Sequence, residues 1–112
     1  MPNEKFLGEF ELIVIGALMR LGEEAYGVSI INEIDRRTGR DVSAGALYAT
    51  LNRLEKKGYV RAHMGEASAV RGGRAKRFFE VTTEGRAQVE RSSVALHQMM
   101  QGLPAWIKGA QA

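Results

Sequence analysis

The sequence contains no cysteine, and this absence excludes several kinds of protein at once. Without thiols there is no disulfide, no thiolate metal site and no cysteine nucleophile. Long apolar runs are missing too, because the most apolar stretch, residues 12–19, is far too short to span a bilayer. The N-terminus carries Glu4, Glu9 and Glu11 instead of a basic start followed by a small-residue cleavage site. The sequence therefore predicts neither a signal peptide nor a membrane segment.

The remaining composition is ordinary for one globular domain. The chain has 112 residues, of which 45% are hydrophobic and 26% charged, and a chain of this length has room for a single modest core. It has no glycine-rich phosphate loop ahead of a helix, no HExxH pair and no nucleophile elbow. We therefore predict a protein that is not an enzyme and that uses no metal and no cofactor.

Charge is unevenly distributed along the chain. The formal net charge is +3, but residues 1–35 carry a net −5 and residues 36–91 a net +7. A basic block attracts phosphates, and its binding to nucleic acid would release counterions. On charge alone, a solvated face without a partner explains the block equally well.

The first half of the chain has the apolar spacing of helices. Residues 10–21 fit an amphipathic helix that ends at Gly22, and residues 26–38 fit a second helix with Gly39 as its stop. Ser43 is a suitable N-cap for a short third helix. In that helix Leu47, Leu51 and Leu54 form one apolar stripe, and the opposite face carries Ala46, Thr50 and Arg53.

The pattern then changes to the period of a strand. Val60, Ala62 and Met64 alternate with polar residues, and residues 76–81 read as the return strand of a hairpin. Between them, residues 65–74 form a glycine-rich, basic loop.

Thr82 or Thr83 is expected to cap a last helix. That helix has a heptad-like stripe through Val89, Leu96 and Leu103, which is broken near Gly102 and Pro104.

Three helices followed by a basic hairpin are the layout of a winged helix-turn-helix, in which the third helix enters the major groove. The predicted fold class is α+β and mainly α: three helices, a two-stranded wing and a C-terminal helix. We assign residues 1–82 to the DNA-binding domain and residues 83–112 to a C-terminal dimerisation helix and tail.

Three segments resemble the PadR-type transcriptional regulators. Residues 45–60, GALYATLNRLEKKGYV, resemble the recognition-helix signature of that family. Residues 25–30, AYGVSI, are similar to the opening of its second helix, and residues 74–85, RAKRFFEVTTEG, to its wing return strand and the start of its last helix. The resemblance covers residues 10–85 in the order of the family.

The resemblance implies a bacterial, cytoplasmic repressor that forms a homodimer through its C-terminal helix, as in the small subfamily. It also implies a response to hydrophobic or phenolic compounds. Some members of the small subfamily bind flat aromatic compounds at the dimer interface, stacked on a tryptophan of the last helix. Trp106 is the only tryptophan here, and the candidate ligand pocket comprises Phe10, Met100 and Trp106.

The candidate DNA contacts fall into three groups. The recognition helix and its start contribute Ser43, Gly45, Ala46, Tyr48, Ala49, Thr50 and Arg53. The start of the second helix contributes Tyr26, and the wing contributes Arg71, Arg74, Lys76 and Arg77. Both tyrosines fit a phosphate contact or a half-buried core position, and the wing cations fit phosphate contacts or a solvated loop.

The candidate dimer interface comprises Val89, Leu96, Met99, Met100 and Leu103. The same residues could instead pack on the first helix of their own chain.

The predicted partners are double-stranded DNA, a second copy of the chain and a hydrophobic or aromatic effector. We expect a homodimeric repressor on an inverted repeat. The alternative function is a winged-helix module for protein–protein interaction without specific DNA binding, because one fold serves several functions.

Overall fold

The computed structural model of the chain describes residues 6–65 and 75–104. It confirms the predicted fold class and the predicted order of elements. The helices are α1 (Glu9–Leu21), α2 (Gly27–Thr38), α3 (Ala44–Lys56) and α4 (Thr83–Met100), and the strands are β1 (Val60–Met64) and β2 (Arg77–Val81). No helix within the described ranges is long and apolar enough to cross a membrane.

The first three helices enclose the core. Each helix contributes the apolar face that its spacing predicts, and the strands close one side with Val60 and Phe79. Apart from Ala25, the apolar side chains exposed by 2% or less are Val14, Ile15, Leu18, Ile30, Ile34, Leu47, Leu51, Leu54, Val60 and Phe79. Full burial of one such side chain stabilises a fold by about 1.5–3 kcal/mol, so this cluster fixes how the three helices lie against each other.

The end of α2 and the start of α3 form as the sequence predicts. Gly39 ends α2 with a φ of 73°, a left-handed conformation that favours glycine. Ser43 caps α3, and its hydroxyl accepts a hydrogen bond from the Ala46 amide at 3.1 Å. The short connection between the two caps places α3 directly after α2, as a helix-turn-helix requires.

The hairpin is antiparallel, with a register that runs from Val60 opposite Val81 to Met64 opposite Arg77. The structure also shows a short segment that pairs with the outer edge of β2, which sequence reasoning missed. The Phe79 amide donates to the Ala25 carbonyl at 2.9 Å, and Tyr26 forms an isolated bridge with Phe78. A 3₁₀ turn at Gly22–Glu24 brings this segment beside β2. The start of α2 is therefore joined to the wing.

Helix α4 begins after Thr82, whose hydroxyl accepts from the Gly85 amide at 3.0 Å and donates to the Gly58 carbonyl at 2.6 Å. The side of α4 that faces the rest of the chain is made of small and polar residues, because Gly85, Gln88 and Ser92 are buried. The helix ends at Met100, just before the predicted break.

Gly85 allows α4 to lie close to the preceding strands. A Cβ at this position would overlap the Tyr59 carbonyl oxygen and would lie 2.9 Å from Val81 Cγ1. We therefore expect Gly85→Ala to lower the free energy of unfolding by about 1–3 kcal/mol, measured by chemical denaturation.

Gly16→Ala is the matched control for this substitution. Gly16 lies inside α1, and a Cβ there would meet no atom within 4 Å. The helix propensity of alanine should then raise stability by about 0.5–1 kcal/mol. Equal losses in both variants would contradict the close approach at Gly85.

Candidate nucleic-acid interface

Helix α3 presents one continuous face to the outside. The exposed positions of this outward face are Gly45, Ala46, Ala49, Asn52, Arg53 and Lys56. Its first two turns carry only small side chains, whereas its last two turns carry an amide and two cations. A helix of this kind can approach a surface closely at its N-terminal end and form hydrogen bonds toward its C-terminal end.

The N-terminal end of α3 is open. Ser43 is exposed while it caps the helix. At Gly45 a Cβ would meet nothing within 4 Å, so the glycine is not required by packing inside the chain. Free amides at a helix start attract anions such as phosphate, and small residues give a phosphate access to them.

Thr50 corrects the prediction for this face. Its side chain was expected to face outward, but it is only 2% exposed. Thr50 lies three residues after Leu47 and four before Leu54, which places all three on the inward face. Its hydroxyl accepts a hydrogen bond from Arg53 at 3.1 Å, so Thr50 orients Arg53 and does not itself reach the outward face.

Asn52 and Lys56 are candidates that sequence reasoning missed. Both are exposed, and they continue the helical spacing from Gly45 through Ala49. That spacing was the signal that could have found them. Asparagine is suited to pairing with adenine in the major groove. Lys56 has no ion pair or hydrogen bond within the part of the chain that the structure describes, so its charge is available to a phosphate.

Arg53 is exposed but held by its own chain. Its side chain is 56% exposed, and its Nε lies 4.0 Å from Oε2 of Glu11. The same carboxylate oxygen accepts a hydrogen bond from Lys57 Nζ at 3.1 Å. The side chain of Glu11 is only 10% exposed, so a nearly buried carboxylate at the start of α1 faces two cations at the end of α3.

Tyr48 lies in the half-buried core position, one of the two environments that the sequence predicts for it. It is half-buried, its ring centre lies 6.1 Å from that of Phe79, and its hydroxyl lies against Gly27 at the start of α2. A side chain at Gly27 would overlap that hydroxyl. Tyr48 therefore fixes α3 to the start of α2.

The start of α2 and the base of the wing form one aromatic cluster. Tyr26 is half-buried and packs edge-on against Phe78, with ring centres 5.5 Å apart. Lys76 Nζ lies 4.1 Å from the centre of the Tyr26 ring, a cation–π distance. Lys76 is exposed, so its charge remains at the surface beside the wing.

The remaining wing cations differ in their surroundings. Arg77 forms an ion pair with Glu55 of α3 at 3.1 Å and lies over the Phe79 ring. Arg71 and Arg74 fall outside the described residues.

Several cations of the basic block are paired within the chain. Arg36 and Arg37 bind Glu33 at 2.8 and 3.1 Å, and the hydrogen bond from Arg36 holds the pKa of the Glu33 carboxyl below its usual value. Arg40 binds Glu9 at 3.2 Å. These pairs reduce the positive potential around α2, whereas Lys56 at the end of α3 and Lys76 at the base of the wing are exposed and lie outside these pairs.

The predicted dimer residues lie on two parts of α4 and, for Leu103, just after its end. Val89 is half-buried and packs against the core of its own chain. Leu96, Met99 and Leu103 are 56%, 76% and 37% exposed, whereas Met100 is intermediate. Leu96 and Met99 follow Ser92 by four and seven residues, so they continue its face of the helix.

The predicted ligand pocket is not assembled within the described residues. Phe10 borders a shallow depression with Phe6, Gly8, Glu11 and Arg53, and Met100 is not part of that lining. Trp106 lies outside the described residues.

Comparison with known proteins gives a consistent result. The model of the transcriptional regulator PadR-like family matches residues 15–91. A transcriptional regulator of Mycobacterium tuberculosis is 36% identical over 76 residues, which cover 68% of this chain and 66% of that protein.

Two solved structures have the same fold. A PadR family transcription regulator from Clostridium difficile has a TM-score of 0.66 at 19% identity, covering 83% of this chain and 95% of that one. The structure of Bacillus subtilis PadR in complex with operator DNA has a TM-score of 0.62 at 16% identity, covering 85% of this chain and 50% of that one.

The chain belongs to the PadR-like family of transcriptional regulators. Members of this family are DNA-binding repressors and not enzymes.

Lys56 provides a test of the outward face of α3. We expect Lys56→Ala to weaken binding to specific and random duplexes by a similar factor, and to reduce the slope of log affinity against log salt by about 1. Fluorescence anisotropy with labelled duplexes at several salt concentrations measures both quantities.

Arg86→Ala is the control, because it removes one exposed positive charge from α4 instead of α3. Equal changes of slope in the two variants would mean that net charge, and not the position of Lys56, is responsible.

Proposed function

We propose that this chain binds a specific operator with α3 in the major groove and the wing against the DNA backbone. The observation that carries the proposal is the outward face of α3. Its small residues permit close approach, and Asn52 and Arg53 supply side chains that can read base edges. Phosphate contacts from Lys56 and Lys76 would set the register and would contribute affinity instead of specificity.

We further propose that the functional unit is a homodimer joined through α4. The support is the stripe of Leu96, Met99 and Leu103, which are 56%, 76% and 37% exposed in the described part of the chain. Burial of such side chains against a second copy would be favourable. A two-fold dimer would place its two α3 helices about 34–36 Å apart, one turn of DNA, on an inverted repeat.

The alternative, a protein-interaction module, is less well supported. A surface that binds a protein does not need both a small-residue helix face and the unpaired Lys56 beside it.

We infer a repressor that acts in the bacterial cytoplasm and is released by a hydrophobic or aromatic molecule at the dimer interface. Such a molecule can shift the equilibrium only if it binds the two states with different affinity.

Binding to the promoter upstream of its own gene tests the function directly. The purified protein is titrated against that promoter and against random duplex at several salt concentrations. We expect tight, promoter-preferring binding that weakens steeply with salt, because phosphate contacts release counterions. Equal, weak binding to both duplexes would contradict a specific regulator, and no binding would favour the protein-interaction module.

Substitutions in the α4 stripe test the dimer. We expect Leu96→Glu combined with Met99→Glu to convert the dimer to a monomer, because two buried carboxylates without partners are costly. Sedimentation velocity measures the mass. Gln98→Glu adds a negative charge on another side of α4, where Gln98 borders a groove with Phe6 and Val94, and should leave the dimer intact. A monomeric wild-type protein at micromolar concentration would refute the proposal.

A further inference from the structure

One short segment contacts both the C-terminal helix and the recognition helix. At its start, the Leu7 amide donates a hydrogen bond to the Ser92 hydroxyl of α4 at 2.8 Å. Leu7 is 6% exposed and Ser92 is 3% exposed, so this bond is buried. A buried amide that loses its acceptor is strongly disfavoured, and the bond therefore fixes the start of the segment to α4.

Four residues later the segment reaches α3 through Glu11. One carboxylate oxygen, Oε1, accepts from the Gly8 amide at 3.1 Å. The other, Oε2, accepts from Lys57 at 3.1 Å and lies 4.0 Å from Arg53 Nε. Gly8 follows Leu7 directly, so the amide that donates to the carboxylate is next along the chain to the amide that donates to Ser92.

The two cations are held unequally. Lys57 is the closer, and its side chain is 27% exposed. Arg53 is farther from the carboxylate and 56% exposed. Arg53 can therefore exchange its carboxylate for DNA while Lys57 continues to neutralise Glu11, so that no uncompensated buried charge is left behind.

We propose that Glu11 is a positioning residue that competes with DNA for the side chain of Arg53. The Leu7–Ser92 hydrogen bond makes this competition depend on the position of α4. The proposal rests on the proposed function, since it assumes that α3 faces DNA. A duplex that contacts Arg53 must first break its contact with Glu11, so Glu11 lowers the affinity for an operator that uses Arg53 by the whole cost of this exchange. Random DNA gains less from Arg53 and leaves it with Glu11 more often. Glu11 thus determines how strongly Arg53 contributes to binding.

Glu11→Gln tests the first half of the proposal. The amide keeps an oxygen for the Gly8 amide but removes the negative charge. We expect severalfold tighter binding to both duplexes, a salt slope on random duplex steeper by about 1, and a ratio of promoter to random affinity that does not fall.

Glu9→Gln is the matched control, because it removes the same charge from the same helix end. The side chain of Glu9 is 78% exposed and pairs with Arg40, not with α3. If Glu9→Gln changes random binding as much as Glu11→Gln does, the effect is general charge and the proposal is wrong.

Ser92→Ala tests the link to α4, with Ser93→Ala as control, since Ser93 is the exposed neighbour. In the free protein we expect Ser92→Ala to move the NMR signal of Arg53 Nε–H toward its position in Glu11→Gln, and Ser93→Ala to leave it in place. In DNA binding, Ser92→Ala should add nothing to Glu11→Gln, because coupled residues give non-additive effects.

Ser92→Cys is the second variant if Ser92→Ala does not fold. The thiol is somewhat larger than the hydroxyl and fills its space, but it accepts hydrogen bonds only weakly. An unchanged Arg53 signal in a folded Ser92 variant would overturn the link.

The outcomes separate this inference from the proposed function. Wild-type protein that fails to prefer its promoter contradicts the proposed function, whereas the NMR signals still test the contact among Ser92, Glu11 and Arg53. Wild-type protein that prefers its promoter, combined with an unchanged salt slope in Glu11→Gln, contradicts only the inference.

Discussion

Burial of Leu47, Leu51 and Leu54 is the constraint on which the rest of the structure depends. All three are fully buried against α1, α2 and the wing. Because burial of one face of a helix leaves the opposite face exposed, these three leucines determine which residues of α3 face outward. The small residues at the start of α3 and the polar residues at its end are accessible for that reason. The rotation of α3 is a consequence of core packing, and the interface follows from the rotation.

The elements that could be predicted from the sequence are those with local causes. Gly22, Gly39 and Ser43 mark helix ends through their own backbone or side-chain chemistry, and the hairpin follows from alternation. Thr50 was misplaced although its spacing from Leu47 already indicated the inward face. The polar character of threonine suggested the surface, but its methyl group packs and Arg53 satisfies its hydroxyl.

The features that could not be predicted join residues far apart in sequence. Nothing local indicates that Ala25 pairs with Phe79, that Glu11 meets Lys57, or that the Leu7 amide needs Ser92. The role of Gly27 also appears only when Tyr48 is placed against it. Such contacts depend on how the core orients the helices, and a single sequence carries no record of them. They nevertheless determine which cations of the candidate site are free.

The charge of the interface is therefore smaller and more selective than the basic block implies. Pairs such as Arg77 with Glu55 are partly exposed, and exposed pairs contribute only about 0–1 kcal/mol, so a phosphate can replace the carboxylate at little cost. The carboxylate of Glu11 is nearly buried, and leaving it without a cation would cost much more. Lys57 must then remain with Glu11, and Arg53 is the exchangeable partner. The end of α3 therefore presents two cations to DNA. Lys56 is always available, whereas Arg53 is released only where its contact with DNA is more favourable than its contact with Glu11.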